Sequence, residues 1–124
     1  MTKSSFRVVI PARYASSRLP GKPLLPLAGR PLVLRVWDVG VRSRASEVLV
    51  ATDDERIAEC VRGGGGNVVL TRADHATGTD RLAEVADLRG YADEDVVVNL
   101  QGDEPFVAPS VLEELAGALE AHPD

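Results

Sequence analysis

Arg13, Arg18 and Lys22 are the residues of this chain with the clearest capacity for chemistry, three cations in the short acid-free stretch Val-Val-Ile-Pro-Ala-Arg-Tyr-Ala-Ser-Ser-Arg-Leu-Pro-Gly-Lys-Pro (8–23). An arginine fork grips two anionic oxygens at once, and a lysine is a compact point charge, so the set suits a phosphorylated ligand, a nucleotide first of all. Charge pattern alone is equally compatible with a solvated surface. The wider distribution favours an anion site. Up to Trp37 there are seven lysines and arginines and no acid, so a chain of net charge −5 carries −12 from Asp38 onward. That concentration of positive charge fits a focused anion site. A nucleic-acid partner is not expected, because the chain as a whole is acidic and only 4% aromatic.

A second candidate is Asp103 in Gln101-Gly102-Asp103-Glu104-Pro105. A carboxylate at the end of an apolar run, released by glycine, is suited to hold a hard cation; the alternative is an Asx turn. Loop and carboxylate together would make a polyphosphate and metal site. The third candidate is Thr71-Arg72-Ala73-Asp74-His75-Ala76-Thr77-Gly78-Thr79-Asp80-Arg81-Leu82. Backbone donors at Gly78 and Thr79, where a helix opens, can serve a base edge or an anion. His75 either orders this loop or acts as an acid or base. With His122 as the other histidine, no histidine metal cluster is expected. Asp53 and Asp54 read as helix-start acids rather than metal ligands. Gly63 to Gly66 follow a helix and precede a strand, the wrong order for a phosphate cradle, and read as a helix end and turn.

The elements that must position these groups follow from periodicity. Buried strands are expected at Val8–Ile10, closed by Pro11, at Val48–Ala51, at Asn67–Leu70 and at Asp95–Leu100. Between them, Pro31 takes the first position of a helix with Val33, Val36, Trp37, Gly40 and Val41 on one face and Trp37 in the core. Thr52 to Glu55 supplies a capping box for a second helix ending near Arg62. Thr79 caps a third with Leu82, Val85 and Ala86 inward, and Ser110 caps a fourth whose apolar positions include Val111, Leu112, Leu115 and Leu119. The order β-α-β-α-β-α-β-α predicts an α/β fold, a three-layer α/β/α sandwich on a mostly parallel sheet with right-handed crossovers. Ligands of such sheets bind at the carboxyl ends of the strands, so the three candidate loops should share one rim.

The length of 124 residues predicts one domain with a real core. The lone Cys60 excludes an internal disulfide and reads as a small core or boundary residue in a reducing compartment. No run of 18 apolar residues and no secretory leader is visible, so no membrane partner is expected and the expected location is cytoplasmic. A dehydrogenase is disfavoured, since no G-x-G-x-x-G follows the first strand.

The stretches 10–24, 71–85 and Val-Asn-Leu-Gln-Gly-Asp-Glu-Pro (98–105) resemble, in order, the 3-deoxy-manno-octulosonate cytidylyltransferase (CMP-Kdo synthetase) family. The resemblance runs from about Arg7 to the end of the chain. It implies a Rossmann-like fold of the nucleotide-diphospho-sugar transferase type, with residues 1–124 as the CTP-binding part of a single nucleotidyltransferase domain whose carboxyl-terminal half is absent. That later half would carry a second metal-binding aspartate, most sugar contacts and the dimer surface, leaving here an open sheet edge and exposed apolar surface. It further implies a nucleotide site of Ala12, Arg13, Arg18, Lys22, Thr71, Arg72 and Gly78, with Arg13 and Lys22 on the CTP phosphates and Thr71, Arg72 and Gly78 around the cytosine. Asp103 would bind Mg2+, making Arg13, Lys22 and Asp103 the catalytic set, and Gln101 and Arg81 would face the sugar acid. In the family the 2-hydroxyl of 3-deoxy-D-manno-octulosonate (Kdo) attacks the α-phosphate of CTP, giving CMP-Kdo and pyrophosphate for lipopolysaccharide biosynthesis, and the full-length enzyme is expected as a homodimer. A CMP-sialic acid type of acceptor, or a non-catalytic nucleotide-binding fragment, are the alternative readings.

Overall fold

Val8, Ile10 and Ala12 turn to one face of the central strand and Val9 to the other, and all four are buried, which is why this run is continuously apolar instead of alternating. The computed structural model describes residues 6–15, 20–72, 78–92, 95–101, 105 and 107–121. Strand β1 (Phe6–Ala12) is followed by a 3-10 turn (Lys22–Leu24) and a small hairpin of β2 (Pro26–Leu27) and β3 (Arg30–Pro31). Then come α1 (Leu32–Arg42), β4 (Glu47–Thr52), α2 (Glu55–Gly63), β5 (Val68–Leu70), α3 (Gly78–Arg89), β6 (Val96–Asn99) and α4 (Pro109–Ala121). The main sheet has the order β5-β4-β1-β6 and is parallel throughout, with Val8 beside Val48 and Val98, and Val50 beside Val68. Helices α1, α2 and α4 pack on the face of Val8 and Ile10; α3 covers the face of Val9, Leu49 and Ala51 through Val85. The three layers expected from the sequence are therefore present.

Several boundaries moved for identifiable reasons. Strand β1 does not stop before Pro11 but continues through it, with Pro11 opposite Ala51 and Ala12 opposite Thr52. The Val9 carbonyl accepts from the Leu100 N–H (3.0 Å), so by strand alternation Pro11 faces the same β6 side, where the ladder has already ended at Val9 and Asn99. No ladder donor is missed there. Pro31 is the residue before α1, extended at φ −52° and ψ 141°, because the hairpin uses it as a strand end. Within α1, Leu32, Leu34 and Val39 join Val33, Val36 and Gly40 inside, while Val41 is exposed and Trp37 only half-buried. The cap of α2 is Asp54, which accepts from the Arg56 and Ile57 N–H groups, with Thr52 Oγ1 taking the Asp54 N–H. Gly64 caps the other end and Gly65 turns at φ +85°, as the glycine run implied.

Helix α3 opens at Gly78, so Thr79 lies within it, and α4 opens at Pro109, the preferred first position for proline, which takes Ser110 inside. On α4, Leu112 and Ala116 are buried, and Val111, Leu115 and Leu119 form an exposed row. No helix among the described residues is long and apolar enough to cross a membrane.

Candidate active site

Because the sheet is parallel, the carboxyl ends of β1, β4, β5 and β6 lie on one rim, and the candidate residues issue from them. Arg13 follows the buried Ala12 and is exposed. The loop it opens is drawn shut at its neck: the Gly21 N–H donates to the Tyr14 carbonyl (2.7 Å), with Gly21 at φ +76°, a left-handed conformation that glycine adopts without strain. Lys22 then begins the 3-10 turn, closed by Leu24 N–H to the Gly21 carbonyl at 2.9 Å. The Tyr14–Gly21 bond therefore brings the neighbours of those residues, Arg13 and Lys22, to the same place on the rim. Arg18 lies outside the described residues.

The second wall continues β5. The Thr71 N–H donates to the Thr52 carbonyl (2.9 Å), holding the buried Thr71 against the end of β4. Arg81, from the first turns of α3, reaches under this segment and is wholly buried. Its Nη1 donates to Thr71 Oγ1 and to the Arg72 carbonyl (3.2 Å), while Nη2 stands 3.9 Å from Asp53 Oδ2. Arg72 is tied in turn through its N–H to Glu84 Oε1 (3.0 Å). Among the described residues, the buried Arg81 Nε and Nη2 have no hydrogen-bond partner. Burial pushes the Arg81 guanidinium below its ordinary value; Asp53 pulls it back up, and the positive charge of Arg13 lowers it further. That mutual repulsion places Arg13 within electrostatic reach of Arg81.

Strand β6 brings Leu100 alongside Val9 and leads into the exposed Gln101, whose Nε2 donates to Asn99 Oδ1 at 3.4 Å. Of the residues singled out in the sequence, Ala12, Arg13, Lys22, Thr71, Arg72, Gly78, Arg81 and Gln101 thus sit at this rim or open the helix beside it. Asp103 and His75 lie outside the described residues. Sequence reasoning missed Asp53, read there as a helix-start acid, which serves as the counter-charge of Arg81. The available signal was Arg81 standing one turn before the inward-facing Val85, on the register of a buried face. Among the described residues no group of three or more His, Cys, Asp or Glu side chains is placed to hold a metal ion. The described part of the rim carries the cationic side chains Arg13, Lys22, Arg72 and Arg81.

A family model described as cytidylyltransferase matches residues 7–124. A 3-deoxy-manno-octulosonate cytidylyltransferase of Pseudomonas fluorescens is 56% identical over 119 residues, 96% of this chain and 47% of that protein. One of Hahella chejuensis is 54% identical over 120 residues, covering 97% of this chain and 47% of the relative. Among solved structures, a CMP:2-keto-3-deoxy-manno-octonic acid synthetase complexed with CTP superposes with a TM-score of 0.89 at 45% identity, over 97% of this chain and 49% of that one. A cytidylyltransferase of Leptospira borgpetersenii, at 22% identity and a TM-score of 0.79, shares the fold. The chain spans about half the length of the relatives it matches. With the family pattern running from Arg7 through the described rim to Asp124, the chain belongs to the cytidylyltransferase family.

Proposed function

We propose that this chain supplies the CTP-binding part of an enzyme that transfers CMP from CTP to Kdo with release of pyrophosphate, for lipopolysaccharide assembly. The observation that supports the reading is the Tyr14–Gly21 backbone bond, which ties together the chain neighbours of Arg13 and Lys22, beside the Arg81-tied Thr71–Arg72 segment. Nucleotidyl transfer leaves the protein little covalent work: it must hold the triphosphate in line and meet the charge that spreads over the phosphoryl oxygens. Arg13 clamps two of those oxygens, Lys22 follows the departing pyrophosphate as a point charge, and each such bond contributes about 1.5–3 kcal/mol net. Thr71, Arg72 and the helix start at Gly78 present backbone and hydroxyl groups to the cytosine, and Ala12 lets the nucleotide approach the end of β1. Arg18 adds a further cation, Gln101 serves the side of the sugar acid, and the buried Arg81 acts through the Thr71–Arg72 segment that it holds.

Mg2+ bound to the triphosphate would neutralise charge, with Asp103 as its protein ligand; the described residues add no carboxylate cluster of their own. A cytoplasmic location and a homodimer belong to the same proposal, as does the division in which residues 1–124 form the nucleotide half of one domain. The acceptor is assigned as Kdo because the relatives at 54–56% identity carry that name.

Pyrophosphate release on mixing the protein with CTP, Mg2+ and Kdo tests this. Release with Kdo and none with sialic acid is expected; release with sialic acid alone overturns the acceptor. Because the chain spans about half of its relatives, a second reading is a nucleotide-binding part without turnover. Calorimetry showing CTP bound but no pyrophosphate released with either sugar selects that reading.

A further inference from the structure

Beside the cations that the proposed function uses lies an aromatic ring that it does not. Tyr14 follows Arg13 directly, is half-buried, and has two close neighbours, Gly21 and Arg56. A Cβ on Gly21 would stand 3.0 Å from Tyr14 Cε2, so the ring lies flush against the backbone that closes the loop. The guanidinium of Arg56 has its Cζ 3.4 Å from the ring centroid, a face-to-face stack at van der Waals distance. Arg56 is itself held. Its Nη2 donates to Asp54 Oδ2 (2.7 Å) and its Nε to Asp54 Oδ1 (3.1 Å), a bidentate fork. Asp54 in turn accepts the Arg56 and Ile57 N–H groups as the cap of α2, immediately after β4 reaches the rim. A continuous chain of contacts therefore runs from the start of α2 through Asp54, Arg56 and Tyr14 to Gly21.

We propose that Tyr14, clamped by Arg56 and Gly21, is a positioning residue that sets the spacing of Arg13 and Lys22 for the phosphates of a nucleoside triphosphate, with Asp54 fixing Arg56. This deepens the proposed function and rests on it. Arg13 and Lys22 are adjacent in sequence to the two residues the clamp joins, so loosening the neck lets the cations separate along the rim. A flat ring is required, because only a π face accepts the guanidinium while leaving room for a backbone without a side chain. The clamp acts on the phosphate end of the ligand and not on the base.

Two readings on the wild type, Tyr14→Phe, Tyr14→Leu and Arg56→Gln test it. The first needs no nucleotide. Exchange of the Gly21 amide, followed by NMR, is expected to quicken about tenfold in Tyr14→Leu and Arg56→Gln, with Tyr14→Phe close to wild type, a step within the range of one stacked cation. Unchanged protection of Gly21 in both variants overturns the clamp. The second is calorimetry with CTP and, separately, with cytidine: Tyr14→Leu is expected to weaken CTP about tenfold and to leave cytidine unchanged, with Tyr14→Phe rescuing CTP. An equal loss of both ligands means a general structural role and overturns the proposal. Should Tyr14→Leu fail to fold, Arg56→Gln, altered only at an exposed side chain, carries both measurements. A wild type that binds no CTP refutes the proposed function, while Gly21 exchange still decides the clamp.

Discussion

Arg81 Nη2 and Asp53 Oδ2 stand 3.9 Å apart, joining a side chain 1% exposed to one 21% exposed across the gap between α3 and the end of β4. The pair is lopsided: nearly all the cost of desolvation falls on the cation, and the carboxylate keeps partial contact with water. A buried charge stripped of its partner is costly, whereas a half-exposed carboxylate stripped of its partner is re-solvated.

Asp53→Asn is therefore expected to destabilise the protein by about 1–3 kcal/mol, since it removes the more strongly acting of the two negative charges, Asp53 and Glu84, that act on the buried guanidinium among the described residues. Adding Arg81→Met should recover part of that loss, although Thr71 Oγ1 and the Arg72 carbonyl then lack their donor. Urea unfolding of the two single variants and the double variant measures the coupling. An additive double variant would mean that the two charges do not interact.

Gly40→Ala sets two effects against each other. In an open helix alanine is favoured over glycine by about 1 kcal/mol. Here a Cβ on Gly40 would stand 2.8 Å from Val48 Cγ1 and 3.6 Å from Val8 Cγ1, both on β-branched, rotamer-restricted side chains of the sheet. Overpacking of this kind costs about 1–3 kcal/mol, so the net expected change is a loss of stability. A higher melting temperature for Gly40→Ala would show that α1 can lift off β4 at little cost.

What could be read beforehand and what could not divides along physical lines. Val8–Ile10 and Val48–Ala51 were legible because strands buried on both faces must be apolar without interruption, whatever surrounds them. Pro11 was misread because the cost of a missing N–H depends on which neighbour it faces, and that is set by where β6 ends. Asp53 and Asp54 looked alike as two acids at a helix start; only the position of α3 makes one a counter-charge and leaves the other a cap. Val111, Leu112, Leu115 and Leu119 were legible as apolar positions of α4, but which of them pack inward was not, because hydrophobicity records what a surface prefers and not what covers it. The cation loop was legible as chemistry. Its neck, made by Tyr14 and Gly21, was not, because a hydrogen bond between backbone groups leaves no residue-type signature.

Alkaline pH probes the opposite end of the sheet. The Tyr91 hydroxyl donates to Glu47 Oε1 (2.8 Å), and Arg7 lies over its ring at 4.5 Å. Burial, then the hydrogen bond and negative charge of Glu47, push the phenol from 10.0 up to about 12. A raised value means the folded state holds the proton more tightly, so this contribution is complete below pH 10 and is lost as pH rises through the folded value. Stability should fall between pH 10 and about 12. Tyr91→Phe should flatten the curve in that window, as followed by unfolding in urea at a series of pH values. A slope there identical to the wild type would assign the loss to other groups.

Lys22→Ala asks whether the cation at the mouth of the loop acts in the reaction or only in binding. Its backbone opens the 3-10 turn and is held by the Leu25 N–H on the Lys22 carbonyl at 3.0 Å, a contact the substitution preserves. The neck should stay shut and the fold intact, so a change in rate reports the lost charge. If Lys22 meets negative charge mainly as pyrophosphate departs, its removal should slow pyrophosphate release by about a hundredfold, the roughly 3 kcal/mol lost with one well-placed donor, and raise KM for CTP far less. Lys22→Arg should restore part of the rate, because the charge returns in a different shape. A rise in KM at constant turnover would mean that Lys22 grips substrate and transition state equally. Turnover and KM both unchanged would remove it from the site, and the reading of the loop as a phosphate grip would then rest on Arg13 and Arg18.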